Sequence, residues 1–148
     1  MEEAQYIRSA YWPLLDETNH RKTSPKDDTY NCFAYAAHVE NQRWDPTTNR
    51  WYWPNGAPRG QQLQNIMDTW ALLGFEKCSD GNLEQGIEKV VFYMRQGRVE
   101  HVARQNPNGK WVSKLGILWD IEHNSPQDLE GPLYGRVSGY MRKQTKSV

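Results

Sequence analysis

The stretch Glu100-His101-Val102-Ala103-Arg104-Gln105-Asn106-Pro107-Asn108-Gly109-Lys110-Trp111-Val112-Ser113-Lys114-Leu115-Gly116 reads as a β-hairpin. Asn106-Pro107-Asn108-Gly109 is its turn, because Asn and Gly accept the left-handed conformations that tight turns need. Residues 98–105 form the incoming strand and 110–115 the outgoing one. Side chains alternate along a strand. Val99, His101, Ala103 and Gln105 therefore share one face, and Glu100, Val102 and Arg104 the other. The Val and Ala on the His101 face predict that it points at the core layer. An even loop count would put Val112 and Lys114 on that face; an odd count would put Trp111 and Ser113 there.

Upstream, residues 88–95 are β-prone and end at the turn Gln96-Gly97. Downstream, a short strand is expected from Ile117 to Ile121, and a last one from Tyr134 to Met141, cut by Gly135 and Gly139. Two helices precede the sheet. Cys32-Phe33-Ala34-Tyr35-Ala36-Ala37-His38-Val39 is Ala-rich, and Asn31 is a good N-cap. Its first two turns are apolar on every side, the mark of a core helix. Over residues 61–73, Leu63, Ile66, Met67, Trp70 and Leu73 form one apolar stripe, with Gly74 placed to end the helix. Residues 1–30 read as an arm: a short apolar piece around Tyr6, Ile7, Tyr11 and Trp12, then a loop over His20–Asp28. Residues 44–60 read as a long Trp-rich loop. The basic tail from Met141 to Lys146 reads as a frayed, solvated terminus. The predicted class is α+β, an early core helix pair packed on an antiparallel β-sheet, in one domain over residues 1–148.

Composition narrows the function classes. Lys+Arg and Asp+Glu both number 18, so the net charge is zero. A general nucleic-acid binder shows a basic surplus, and none is present. No apolar run approaches the ~18 residues of a membrane span, so no membrane partner is expected. The N-terminus lacks the basic and apolar regions of an export signal. The expectation is a protein cytoplasmic as synthesised; a specialised secretion route would leave no such mark. Two cysteines, Cys32 and Cys78, are too few for a disulfide scaffold. Cys32, Cys78, His101 and His123 lack the Cys-x-x-Cys or His-x-x-x-His spacing of a zinc site, and no metal or cofactor is expected. Oligomeric state is not legible.

The chemistry-bearing pair is Cys32 and His101. A thiol at a helix N-terminus sits where partial positive charge favours the thiolate. The Cys32 N–H could bind an oxyanion, helped by the Asn31 side chain. Such a nucleophile needs a base, and His101 is the natural candidate if the Cys32 helix lies on its face. Ser113 is the preferred group to orient the imidazole, with Lys114, Asp120, Glu122 and His123 as alternatives. The plainer readings are a buried core Cys32, a structural strand His101, a structural Cys78, surface His20 and His38, and His123 in loop packing. Trp44, Trp51 and Trp53 form either a substrate wall or the packing of a loop onto the core.

The order of Tyr30-Asn31-Cys32-Phe33-Ala34-Tyr35-Ala36 and the His101 hairpin resembles the papain-like superfamily, in its NlpC-type and transglutaminase-like branches. Those families place Cys on the first core helix, His on a strand and a polar residue on the next strand. His-Val-Ala-Arg-Gln and Ser-Lys-Leu-Gly also resemble the signature of an uncharacterised bacterial and phage domain family. The first resemblance implies a papain-like fold and a cysteine peptidase, amidase or deamidase working through a thioester on a peptide or protein amide. Asn31 stands where NlpC-type enzymes carry an acid, and Leu115 where transglutaminase-like enzymes carry Asp. The alternative is a domain that kept the fold, lost the chemistry, and contacts a protein or peptidoglycan partner through its Trp-rich loop.

Overall fold

The computed structural model describes residues 10–145. The Tyr6–Ile7 end of the expected arm and Lys146 of the tail lie outside them. The strands are β1 (His20–Lys22), β2 (Glu76–Cys78), β3 (Ile87–Arg95), β4 (Arg98–Gln105), β5 (Trp111–Lys114), β6 (Asp120–His123) and β7 (Arg136–Gln144). They form one seven-stranded sheet in the order β1-β6-β5-β4-β3-β7-β2. Every neighbouring pair is antiparallel. The helices are α1 (Cys32–Ala36) and α2 (Leu63–Leu72), with a 3-10 turn at Pro126–Leu129.

The sheet is buried on both faces. Val90, Val91, Phe92 and Tyr93 of β3 are successive and all 0 % exposed. Alternation sends Val90 and Phe92 into a core with α1, α2, Val102, Val112, Trp44, Trp53 and Trp70. It sends Val91 and Tyr93 into a second core with Ala103, Trp111, Ile121, Trp12, Leu129 and Tyr134. Burying both faces explains why β3 reads as a continuous apolar run rather than an alternating one.

The expected papain-like α+β class does not describe this chain. The antiparallel sheet dominates, and among the described residues α2 is the longer α-helix at 10 residues. α1 has 5 residues, because Ala37 ends it and His38 turns left-handed at φ 66°. Strands also form where polarity reads as loop. Arg21 pairs with Glu122 and Lys22 with Ile121 at one edge of the sheet. Edge strands carry charge without penalty, so no apolar alternation marks them. The expected frayed tail is strand as far as Gln144, which pairs with Ile87.

The β3–β4 register shifts between Tyr93 and Met94: Tyr93 opposes His101, and Met94 opposes Val99. Glu100 is the extra residue, a β-bulge. Val99 therefore joins the helix-side core with Val102, while His101 lies on the opposite face beside Tyr93. The expectation that Val99 and His101 share a face fails at this one residue.

Gly135 sets the loop that carries Tyr134. It has φ +79°, and a Cβ there would overlap the Met94 carbonyl. Gly86 has φ +77° with no atom of the described residues within 4 Å of the same position. Gly86→Ala should lose about 1–2 kcal/mol from the left-handed penalty alone. Gly135→Ala should lose more than about 3 kcal/mol, since the backbone overlap adds to that penalty. Urea denaturation of both variants measures the difference; equal losses would contradict the placement of this loop.

Candidate functional site

Gln105 pairs with Trp111, so the loop 106–110 has an odd count. Trp111 and Ser113 thus share the His101 face. Antiparallel pairing of β5 with β6 opposes Ser113 to Ile121 and Trp111 to His123, so Ser113 and His123 are diagonal neighbours on that face.

A buried polar chain results. His101 Nε2 lies 2.9 Å from Ser113 Oγ. Ser113 Oγ lies 2.8 Å from His123 Nε2. His123 Nδ1 lies 2.9 Å from the Ser125 carbonyl oxygen. His101, Ser113 and His123 are all 0 % exposed. Proton positions follow from the far end. A carbonyl only accepts, so His123 Nδ1 carries the hydrogen. Burial, outweighing the Ser125 carbonyl, pushes the His123 imidazole down to about 4, so it is neutral and its Nε2 is bare. Ser113 Oγ–H donates to that nitrogen, and its oxygen accepts from His101 Nε2–H. Burial, and next the His123 ring, hold His101 well below the usual histidine range. His101 is therefore neutral with a bare Nδ1. That atom is buried and has no hydrogen-bond partner among the described residues.

Tyr134 fixes the ring from one side. Its centroid lies 4.1 Å from that of His101 at an interplanar angle of 8°. Tyr93 packs against the imidazole at 5.2 Å, and its hydroxyl donates to the Pro126 carbonyl at 2.7 Å. That bond ties the 3-10 turn to the sheet. Ser125 begins the turn, its N–H donating to Asp128 Oδ2 at 2.9 Å.

Cys32 approaches β4 from the other core. Its Sγ is 4.0 Å from the Glu100 carbonyl oxygen, the peptide group immediately before His101. No hydrogen bond joins Cys32 to His101, since His101 Nδ1 has no partner. The pair does not meet across a helix–sheet interface, because α1 packs on the Val102 face and His101 points to the Ala103 face. The expected low thiol pKa is also reversed. Burial pushes the Cys32 thiol up to about 12, against backbone N–H groups of Val102, Phe33 and Cys32 that favour the thiolate. One short helix start does not outweigh the desolvation of a buried charge.

Asn31 is engaged in structure. Its Oδ1 accepts from Ala34 N–H at 3.3 Å and Trp44 N–H at 3.0 Å, and its Nδ2 donates to the Trp44 carbonyl at 2.7 Å. It caps α1 and clamps the Trp-rich loop to it. Trp44 and Trp53 are buried at 5 % and 4 %, while Trp51 is 41 % exposed beneath the Arg43 guanidinium. Only Trp51 of the three reaches solvent substantially.

The other groups weighed for orienting His101 are occupied elsewhere. Asp120 accepts from the Tyr30 hydroxyl at 2.5 Å. Lys114 donates to the Leu118 carbonyl at 2.5 Å and lies 4.5 Å from the Tyr30 ring. Glu122 pairs with Arg21 at 3.1 Å. Cys78 lies on β2 against the Asp80 carbonyl. Among the described residues, no group of His, Cys, Asp or Glu is placed to hold a metal ion. The sequence places Tyr134 at the start of the last strand, but that strand begins at Arg136, and the stacking of Tyr134 on His101 across the turn has no local periodicity to mark it.

The fold and site define a two-core, antiparallel sheet domain with a buried imidazole–hydroxyl–imidazole chain. Residues 21–142 match the family described as "Domain of unknown function (DUF7689)", and the chain belongs to that family. No curated protein and no solved structure matches it. Among the described residues no helix is long and apolar enough to cross a membrane.

The polar chain makes stability depend on pH. His123 titrates at about 4 in the folded protein, against ~6.5 when unfolded. As pH falls, the unfolded chain takes up the proton first, so stability is complete above ~6.5 and is lost down through the folded value. The full loss from this ring is on the order of 3 kcal/mol. Urea denaturation at neutral pH and near pH 5 should show a larger acid loss for the wild type than for His123→Gln. Parallel losses would refute the neutral buried ring.

Proposed function

We propose that the protein is a cysteine hydrolase acting on a peptide or protein amide, with Cys32 as nucleophile and His101 as base. One observation carries this reading: the relay through Ser113 and His123 leaves His101 with a bare, unpartnered Nδ1 on the strand whose backbone the Cys32 sulfur touches. An unused buried acceptor is costly to maintain unless something occupies it.

Both groups are neutral at rest, so the mechanism is general-base attack rather than attack by a standing thiolate. The Cys32 S–H proton moves to His101 Nδ1 as sulfur bonds to the carbonyl carbon. The tetrahedral intermediate expels the amine, which takes that proton from Nδ1, leaving a thioester on Cys32. Water, deprotonated by the same nitrogen, then cleaves the thioester, and the proton returns to sulfur. Ser113 and His123 act as positioning residues that hold the tautomer throughout. Catalytic hydrogen bonds often tighten only when substrate is bound, and here the reaction requires a rearrangement at the Glu100 bulge that brings the His101 ring and the Cys32 sulfur to one side of β4.

A second reading has its own observation. The raised Cys32 thiol fits a structural core cysteine. The domain would then bind a protein or peptidoglycan partner, with exposed Trp51 and Tyr52 as the contact surface.

A peptidyl vinyl sulfone or chloromethyl ketone separates the two. The hydrolase reading expects labelling at Cys32 and not Cys78, slowed about 100-fold or more by His101→Gln. Ser113→Ala should slow it less, by loosening the imidazole. No labelling at Cys32, or equal labelling with and without His101, would leave only the binding reading.

A further inference from the structure

We propose that the cavity against Tyr134 and Glu100 receives an uncharged apolar chain of the substrate and so sets its specificity; this rests on the hydrolase reading above. The cavity has a volume of about 380 Å³ and is walled chiefly by Trp12, Leu115, Leu118, Leu133 and Tyr134. That size lies at the small end of ligand pockets, roughly 300–1,000 Å³, and suits one medium apolar group.

Its place in the fold ties it to the reacting residues. Tyr134 is wall and stacking partner at once, with one ring against the cavity and His101 4.1 Å from it. Glu100 likewise lines the cavity, while its carbonyl oxygen is the atom 4.0 Å from Cys32 Sγ. A group held there is one residue removed from each, with Tyr134 between it and the His101 ring and Glu100 between it and Cys32.

The walls also state what chemistry fits. Among the described lining residues Glu100 carries the only acidic side chain, and its two oxygens are taken by Arg95 at 3.0 Å and Gln61 at 3.3 Å. It does not call for a cationic ligand. Ile117, also on the lining, is 60 % exposed and offers further apolar surface to an entering chain. A fatty acyl chain and an aliphatic or aromatic peptide side chain share this chemistry.

The test uses the full chain with Cys32→Ala, titrated calorimetrically with octanamide and with acetamide. Octanamide should bind at least tenfold more tightly. Leu133→Trp, which fills the cavity, should remove that preference while Tm stays unchanged. Should Leu133→Trp unfold the protein, Ile117→Glu on the exposed lining serves instead, with the same loss expected. Equal binding of the two amides, or an octanamide preference that survives both substitutions, overturns the proposal. In the wild type, an octanoyl p-nitrophenyl ester and an N-acetylphenylalanine p-nitroanilide distinguish the two chain sources by which is cleaved at least tenfold faster than its short or glycyl counterpart. Cleavage without that discrimination also overturns the cavity's role. Octanamide binding with no cleavage of either compound overturns the hydrolase reading and leaves the cavity as a site for apolar ligands.

Discussion

Val90, Val91, Phe92 and Tyr93 of β3 leave no face of the central sheet to water, and most other features of the molecule follow from covering both sides. The helices α1 and α2, with Trp44 and Trp53, close one face. The segment with Trp12 and Leu15, the 3-10 turn and the Tyr134 loop close the other. Burial on both sides is what permits two separate cores in a chain of this size. It also means that any polar side chain pointing from the central strands enters a dry interior, where it must find a partner.

His101, Ser113 and His123 are the response to that requirement on one face. Each imidazole loses its charge to desolvation, and the remaining hydrogen bonds run in one direction, from His101 through Ser113 and His123 to the Ser125 carbonyl. Such a chain is sensitive to its ends, because one altered proton reverses every member. Ser125 Oγ and its N–H bond to Asp128, so the end of the relay sits on a capped turn rather than a free loop. What remains unsatisfied is concentrated at the other end, at His101 Nδ1, beside the bulge at Glu100.

Cys32 meets the same strand from the opposite side, and the physics there is different. Its thiol lies in the helix-side core with a raised pKa, near backbone groups of β4 rather than near a charge. The bulge brings the two environments within one peptide unit of each other. A neutral thiol and a neutral imidazole are what the proposed general-base reaction requires, and the same burial is equally the ordinary environment of a core cysteine. The two readings differ in whether a ligand completes the contact.

Sequence alone determined the hairpin at Asn106–Gly109, the β3 run, and the apolar stripe of α2, because turn residues, β-branched runs and helical spacing are local signals. It also singled out Cys32, His101 and Ser113 by residue type and order. It did not determine the class of the fold, because the edge strands β1 and β2 are short and polar and α1 stops at a left-handed His38 that no local pattern marks. Nor did it determine which face His101 occupies relative to α1, since one bulged residue at Glu100 separates Val99 from His101. The roles of Asn31 and of the Trp-rich loop, the stacking of Tyr134 and the end of the relay at Ser125 arose only in three dimensions. Each depends on contacts between segments far apart in the chain. Burial, which raised the thiol and lowered both imidazoles, is a property of the packed molecule and not of any motif.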